Sequence, residues 1–149
     1  MRNLILILFL IYSVESYADM FLTGKNEISG RWAIVEEIGG VCYLYLTERG
    51  SQKPVNSVIV FANKLQTKEE AKETMQNGIA PSLVAEYASS IHNIAQPDEN
   101  EFAFVWKRGG ELVELMYKNQ VIAVLTNESS YSQAISKSGF YGEPLKSYH

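Results

Sequence analysis

Three apolar runs follow one another between residues 101 and 126 with almost nothing between them, and this spacing constrains the fold more than any other feature of the chain. The runs "EFAFVWK", "ELVELMYK" and "QVIAVLT" are joined by Arg108-Gly109-Gly110 and by Lys118-Asn119. Connections this short can only reverse the chain, so the runs read as an antiparallel meander. Phe102, Phe104 and Trp106 occupy alternate positions and therefore share one face of the sheet. That aromatic row is the largest apolar contribution in the chain, and something must cover it.

Upstream, "RWAIVEEI" (31–38) and "VCYLYLT" (41–47) flank Gly39-Gly40 and read as a hairpin, with a bulge at the glycines as the alternative, and "SVIVFA" (57–62) is a third, buried strand rich in β-branched residues. At Thr67 the period changes. "TKEE" is a capping box, with the Thr67 hydroxyl accepting from the Glu70 amide while the Glu70 carboxylate reaches back, and the helix runs to about Asn77-Gly78. Pro81 opens a second predicted helix, "PSLVAEYASSIHNI", with Leu83, Tyr87, Ile91 and Ile94 on one stripe. "SSYSQAISKSG" reads as a terminal helix from Ser129 or Ser130 to Gly139. The expected fold class is α+β: a largely antiparallel sheet packed against helices, in a single domain. Two β layers would overturn it.

The first eighteen residues carry Arg2, an apolar stretch from Leu4 to Ile11 and the triplet Ser16-Tyr17-Ala18, the form of a signal peptide cut before Asp19. The stretch is well short of the ~20 residues that span a bilayer, so no membrane span is expected after cleavage. The expected division is residues 1–18 as signal peptide and 19–149 as the domain, secreted or periplasmic. Export invites disulfides, yet Cys42 is the only cysteine, so no internal bridge can form. Within an apolar strand it reads as a small hydrophobe, with an intermolecular disulfide as the alternative. The net charge of −4 is scattered and supplies no footprint for nucleic acid.

The residues that could carry chemistry form no complete set. His92 and His149 have no ligand spacing around them, so no metal site is expected, and no cofactor. "SGRWAIV" and "KSGFYG" put no serine on a strand-to-helix elbow. "EIGGV" and "KRGGE" lie between strands and are turns rather than phosphate cradles. Glu36 and Glu37, as neighbours on a strand, point to opposite faces. Asn127-Glu128-Ser129 is a glycosylation sequon that matters only in a glycosylating host.

The C-terminal half, "EFAFVWKRGG", "ELVELMYKNQVIAVLT" and "SYSQAISKSGFYGEPLKS", resembles the bacterial secreted chalcone isomerase-like family, with "VCYLYL" and "SVIVFANKLQTKEEAKETMQNGI" matching its upstream elements. "GRWAIV…VCYLYL" is also similar to invasion-associated locus B proteins, which the long middle helices fit poorly. The first resemblance implies a sheet packed against helices with a cleft between them. Arg31, in "SGRW", matches an Arg that the plant enzymes of the family use. The other positions depart: Thr67 and Thr74 stand at the helical positions, and no strand Thr lies near Gly40. A site missing several such donors loses ~3 kcal/mol of transition-state stabilisation for each. The leading expectation is therefore a non-catalytic exported domain that binds a small apolar ligand or a protein partner, in a cavity lined by Phe102, Phe104, Trp106, Leu83, Tyr87 and Ile91. The alternatives are an isomerase-type enzyme around Arg31 and a secreted inhibitor or immunity-like protein. Oligomeric state is left open.

Overall fold

Gly39 and Gly40 both take positive φ, 63° and 84°, as do Lys118 and Asn119 at 49° and 66°. Two consecutive left-handed residues give the turn whose twist matches a β-hairpin, so both sites reverse the chain tightly. The structure, a computed structural model, describes residues 19–79 and 81–149. The segment read as a signal peptide lies outside the described residues.

The first turn joins β2 (Trp32–Ile38) to β3 (Val41–Thr47). With β1 (Met20–Lys25) and β4 (Pro54–Ala62) they form a four-stranded antiparallel sheet in the order β1-β2-β3-β4. The helix α1 (Lys68–Gln76) follows β4, and Thr67 and Glu70 make both bonds of the expected capping box. The second turn lies in a five-stranded sheet, β5 (Phe102–Lys107), β6 (Leu112–Tyr117), β7 (Gln120–Leu125), β8 (Ser130–Ser132) and β9 (Glu143–Pro144). The short β8–β9 pair is parallel; the others are antiparallel.

The two sheets enclose the main core. Val35, Leu44, Leu46, Val60 and Phe61 from the first meet Val113, Leu115, Ala123 and Leu125 from the second. Phe102, Phe104 and Trp106 pack against this cluster, so the expected aromatic row does share one face and does turn inward. Gly24 on β1 lies over the Phe104 ring so closely that a Cβ there would stand 2.6 Å from Cδ2. Cys42 is wholly buried between the layers, and burial pushes its thiol well up from the usual range. Glu36 and Glu37 do point to opposite faces, Glu37 inward beside the core and Glu36 outward.

The α+β expectation is contradicted: the chain is two β layers with one α-helix among the described residues, not a sheet covered by helices. Residues 81–94 form a single short 3₁₀ turn, Ala85–Tyr87, instead of a helix. Their backbone groups find partners on other segments. Gln66 N donates to the Leu83 carbonyl, Ala85 N to Gln66, Ser89 N to Ala134, and Ala62 N to His92. The Ser82 and Ser89 hydroxyls add bonds to the Lys64 and Gln133 carbonyls, so side chains as well as backbone tie this stretch to distant segments. The predicted terminal helix is also absent. Ser130–Ser132 instead extend the second sheet against β7, which satisfies an edge that a helix would leave open. Gly139 does not stop a helix. It bonds reciprocally with Gly142 at 3.1 Å in each direction, closing a small loop with Phe140 at its tip.

Candidate functional site

Arg31 immediately precedes β2 and is 4% exposed, so it is not an exposed charge at the strand end. Its Nη1 donates to the Thr47 carbonyl at 2.7 Å and to Asn127 Oδ1 at 3.0 Å, and its Nη2 to Glu111 Oε1 at 2.8 Å. Glu111 is also paired with Arg49. Thr47 belongs to the first sheet, while Glu111 and Asn127 flank strands of the second. The guanidinium is therefore a cross-layer clamp, with both Nη groups bonded to protein acceptors.

The expected lining residues separate into two groups. Phe102, Phe104 and Trp106 belong to the inter-sheet core. Leu83 and Tyr87 belong to a second, smaller cluster with Ile59, Ala62, Ala134 and Tyr141, on the other side of the first sheet. Ile91 is exposed. Those six side chains are not brought together, because Leu83, Tyr87 and Ile91 would share a stripe only in a helix.

A different concavity lies on the outer face of the first sheet. Alternation in β3 turns Cys42, Leu44 and Leu46 inward and Val41, Tyr43 and Tyr45 outward. The outward set forms the floor of a cleft of about 440 Å³. Its walls are the 64–66 segment, Glu70 and Thr74 of α1, and Ile38 and Ile79 at the rim. Gln66 locks the wall in place, since Nε2 donates to Thr74 Oγ1 at 3.1 Å and Oε1 accepts from Ser82 N at 3.0 Å. Two tyrosine hydroxyls pin the next stretch across the sheet: Tyr43 donates to the Pro81 carbonyl at 2.8 Å and Tyr141 to the Ser82 carbonyl at 3.1 Å. Beyond Tyr43 a narrower recess of about 220 Å³ continues past Ser57, Ile59 and Pro81 to Phe140 and Tyr141.

The polar groups of the cleft are the two phenols together with Glu36, Lys64, Gln66, Glu70, Thr74 and Ser82. Tyr43 and Tyr45 stack at 5.9 Å between ring centroids, and burial holds the Tyr43 phenol up at about 12 and raises Tyr45 as well. Both stay neutral donors at ordinary pH. Glu36 faces the same floor, accepts from the Tyr45 hydroxyl at a long 3.5 Å, and burial raises its carboxyl above the usual range. The tyrosines were legible as a face, since "VCYLYL" alternates, but a run of six apolar residues hides which side meets the core.

Among the described residues no three His, Cys, Asp or Glu side chains stand close enough to hold a metal ion, and no helix is long and apolar enough to cross a membrane. No family model matches this sequence, and no match is found among curated proteins or solved structures.

Proposed function

We propose that this chain is an exported binding domain that takes a small apolar ligand in the cleft on the outer face of its first sheet. The observation that carries the reading is the cleft itself: about 440 Å³, floored by Val41, Tyr43 and Tyr45 and rimmed by Ile38 and Ile79. That volume lies within the ~300–1,000 Å³ range of small-molecule sites, and an apolar lining with a few fixed polar groups is their usual composition. The reading does not lean on the chalcone isomerase-like resemblance, because the two β layers lack the covering helices that resemblance implied. The similarity to invasion-associated locus B proteins loses one objection, since 81–94 forms no long helix. An enzyme built around Arg31 is disfavoured by the commitment of its guanidinium to Thr47, Asn127 and Glu111.

An environment-sensitive apolar dye tests the proposal. The purified protein should raise its emission, and Val41→Asp, which sets a charge on the floor, should abolish the gain. Equal emission with both proteins would remove the cleft from consideration. A protein partner is the second reading, favoured by Phe140, which is 75% exposed at the tip of the Gly139–Gly142 loop where the narrower recess ends. Single exposed apolar residues are common on proteins that bind nothing there, which keeps this reading second.

A further inference from the structure

We propose that the cleft selects a cationic head group, so that its ligand is an amphipathic organic amine or quaternary ammonium with Glu36 as counter-charge. This rests on the reading of the cleft as a binding site. Strand register carries the inference. Glu36 on β2 lies directly between Phe21 on β1 and Tyr43 on β3, and all three project from the outer face. Tyr45, stacked on Tyr43, donates to the same carboxylate. A carboxylate among aromatic rings is the arrangement that attracts an organic cation, through charge on one side and ring faces on the other.

Glu36 is half-buried and, among the described residues, forms no ion pair, whereas Glu86, Glu111 and Glu114 each hold a Lys or Arg. A partly desolvated carboxylate without a counter-ion is costly, and the raised proton affinity of Glu36 reflects that cost. An incoming cation relieves it. The other charged groups at the cleft are Lys64 and Glu70. Glu70 is occupied at the helix start, where Oε1 accepts from Thr67 N. Glu36 is thus the carboxylate left free to meet a ligand, while Ile38, Val41, Leu65 and Ile79 offer an apolar bed for its tail.

Calorimetric titration of the purified protein with decyltrimethylammonium, decanol and decanoate, each below its micelle concentration at pH 8, tests this. The cation should bind roughly tenfold or more tightly than the alcohol, and decanoate most weakly. Glu36→Gln should erase the margin of cation over alcohol and leave alcohol binding intact. Equal affinities for cation and alcohol in the unaltered protein would overturn the head-group inference and keep the cleft. Decanoate binding most tightly would also overturn it and make Lys64 the recognising group. No binding by any of the three would overturn both readings.

Discussion

Replacing Arg31 by Ala asks whether this residue holds the layers together or serves a substrate. Three acceptors depend on its guanidinium: the Thr47 carbonyl, Asn127 Oδ1 and Glu111 Oε1, at 2.7 to 3.0 Å. Breaking a buried ion pair from one side costs about 3–5 kcal/mol, because the remaining partners are stranded. Two features reduce that figure. The Glu111 side chain is 34% exposed and keeps Arg49, and the buried Nε of Arg31 already lacks a partner. The loss should therefore be about 2–4 kcal/mol, after discounting for solvent screening at Glu111. For a domain of this size that corresponds to roughly 8–16 °C in Tm. Urea unfolding followed by circular dichroism measures it, with Arg49→Ala as the control. The Arg49 side chain is 60% exposed, so its removal should cost less than about 1 kcal/mol. Arg31→Lys should recover only part of the loss, because one ammonium cannot reproduce the planar fork. If Arg31→Ala and Arg49→Ala cost the same small amount, the cross-layer clamp is refuted.

Further expectations are as direct. Gly110 has φ 89°, and a Cβ there would collide with Asn26 Oδ1 and Ser29 Oγ, so Gly110→Ala should destabilise by about 2 kcal/mol or more in the same assay; a change under about 0.5 kcal/mol would contradict it. Tyr43→Phe removes the donor to the Pro81 carbonyl, should cost about 1 kcal/mol, and should speed amide exchange around Ser82. Glu36 contributes stability below its unfolded-state pKa and loses it as pH rises through its raised folded value, with Tyr43, Tyr45, Lys64 and Glu70 as the surrounding polar groups. Glu36→Gln should therefore match the parent near pH 4 and exceed it near pH 8, and an equal gain at both pH values would oppose the desolvation argument. Phe140→Ser should leave stability within about 0.5 kcal/mol.

The parts of this fold that were legible in the sequence are those whose causes are local. The Thr67–Glu70 capping box needs only four residues, and the Gly39-Gly40 and Lys118-Asn119 turns need only their own dihedral preferences. The strands they connect were recovered with nearly their observed bounds. What failed was governed by distant partners. The stripe Leu83, Tyr87, Ile91 has helical spacing, yet the backbone of 81–94 bonds to Gln66, Ala134 and Ala62, contacts that no window of sequence contains. Ser130–Ser132 likewise follows the open edge of β7 rather than its own weak helical pattern. β1 went unread because "MFLTGK" is short and contains a glycine, whose value emerges only once Phe104 is seen beneath it. The cleft was invisible for a related reason: its floor comes from one hairpin and its walls from a helix and a loop that tertiary contacts set in position.

The solitary sulfur at Cys42 gives the molecule a built-in reporter. Because it is sealed at 0% exposure between the layers, a thiol-modifying reagent can reach it only when the sandwich comes apart. The rate at which a single adduct accumulates then times the opening of the entire β assembly, and any ligand held by the closed form should slow that clock in proportion to its occupancy.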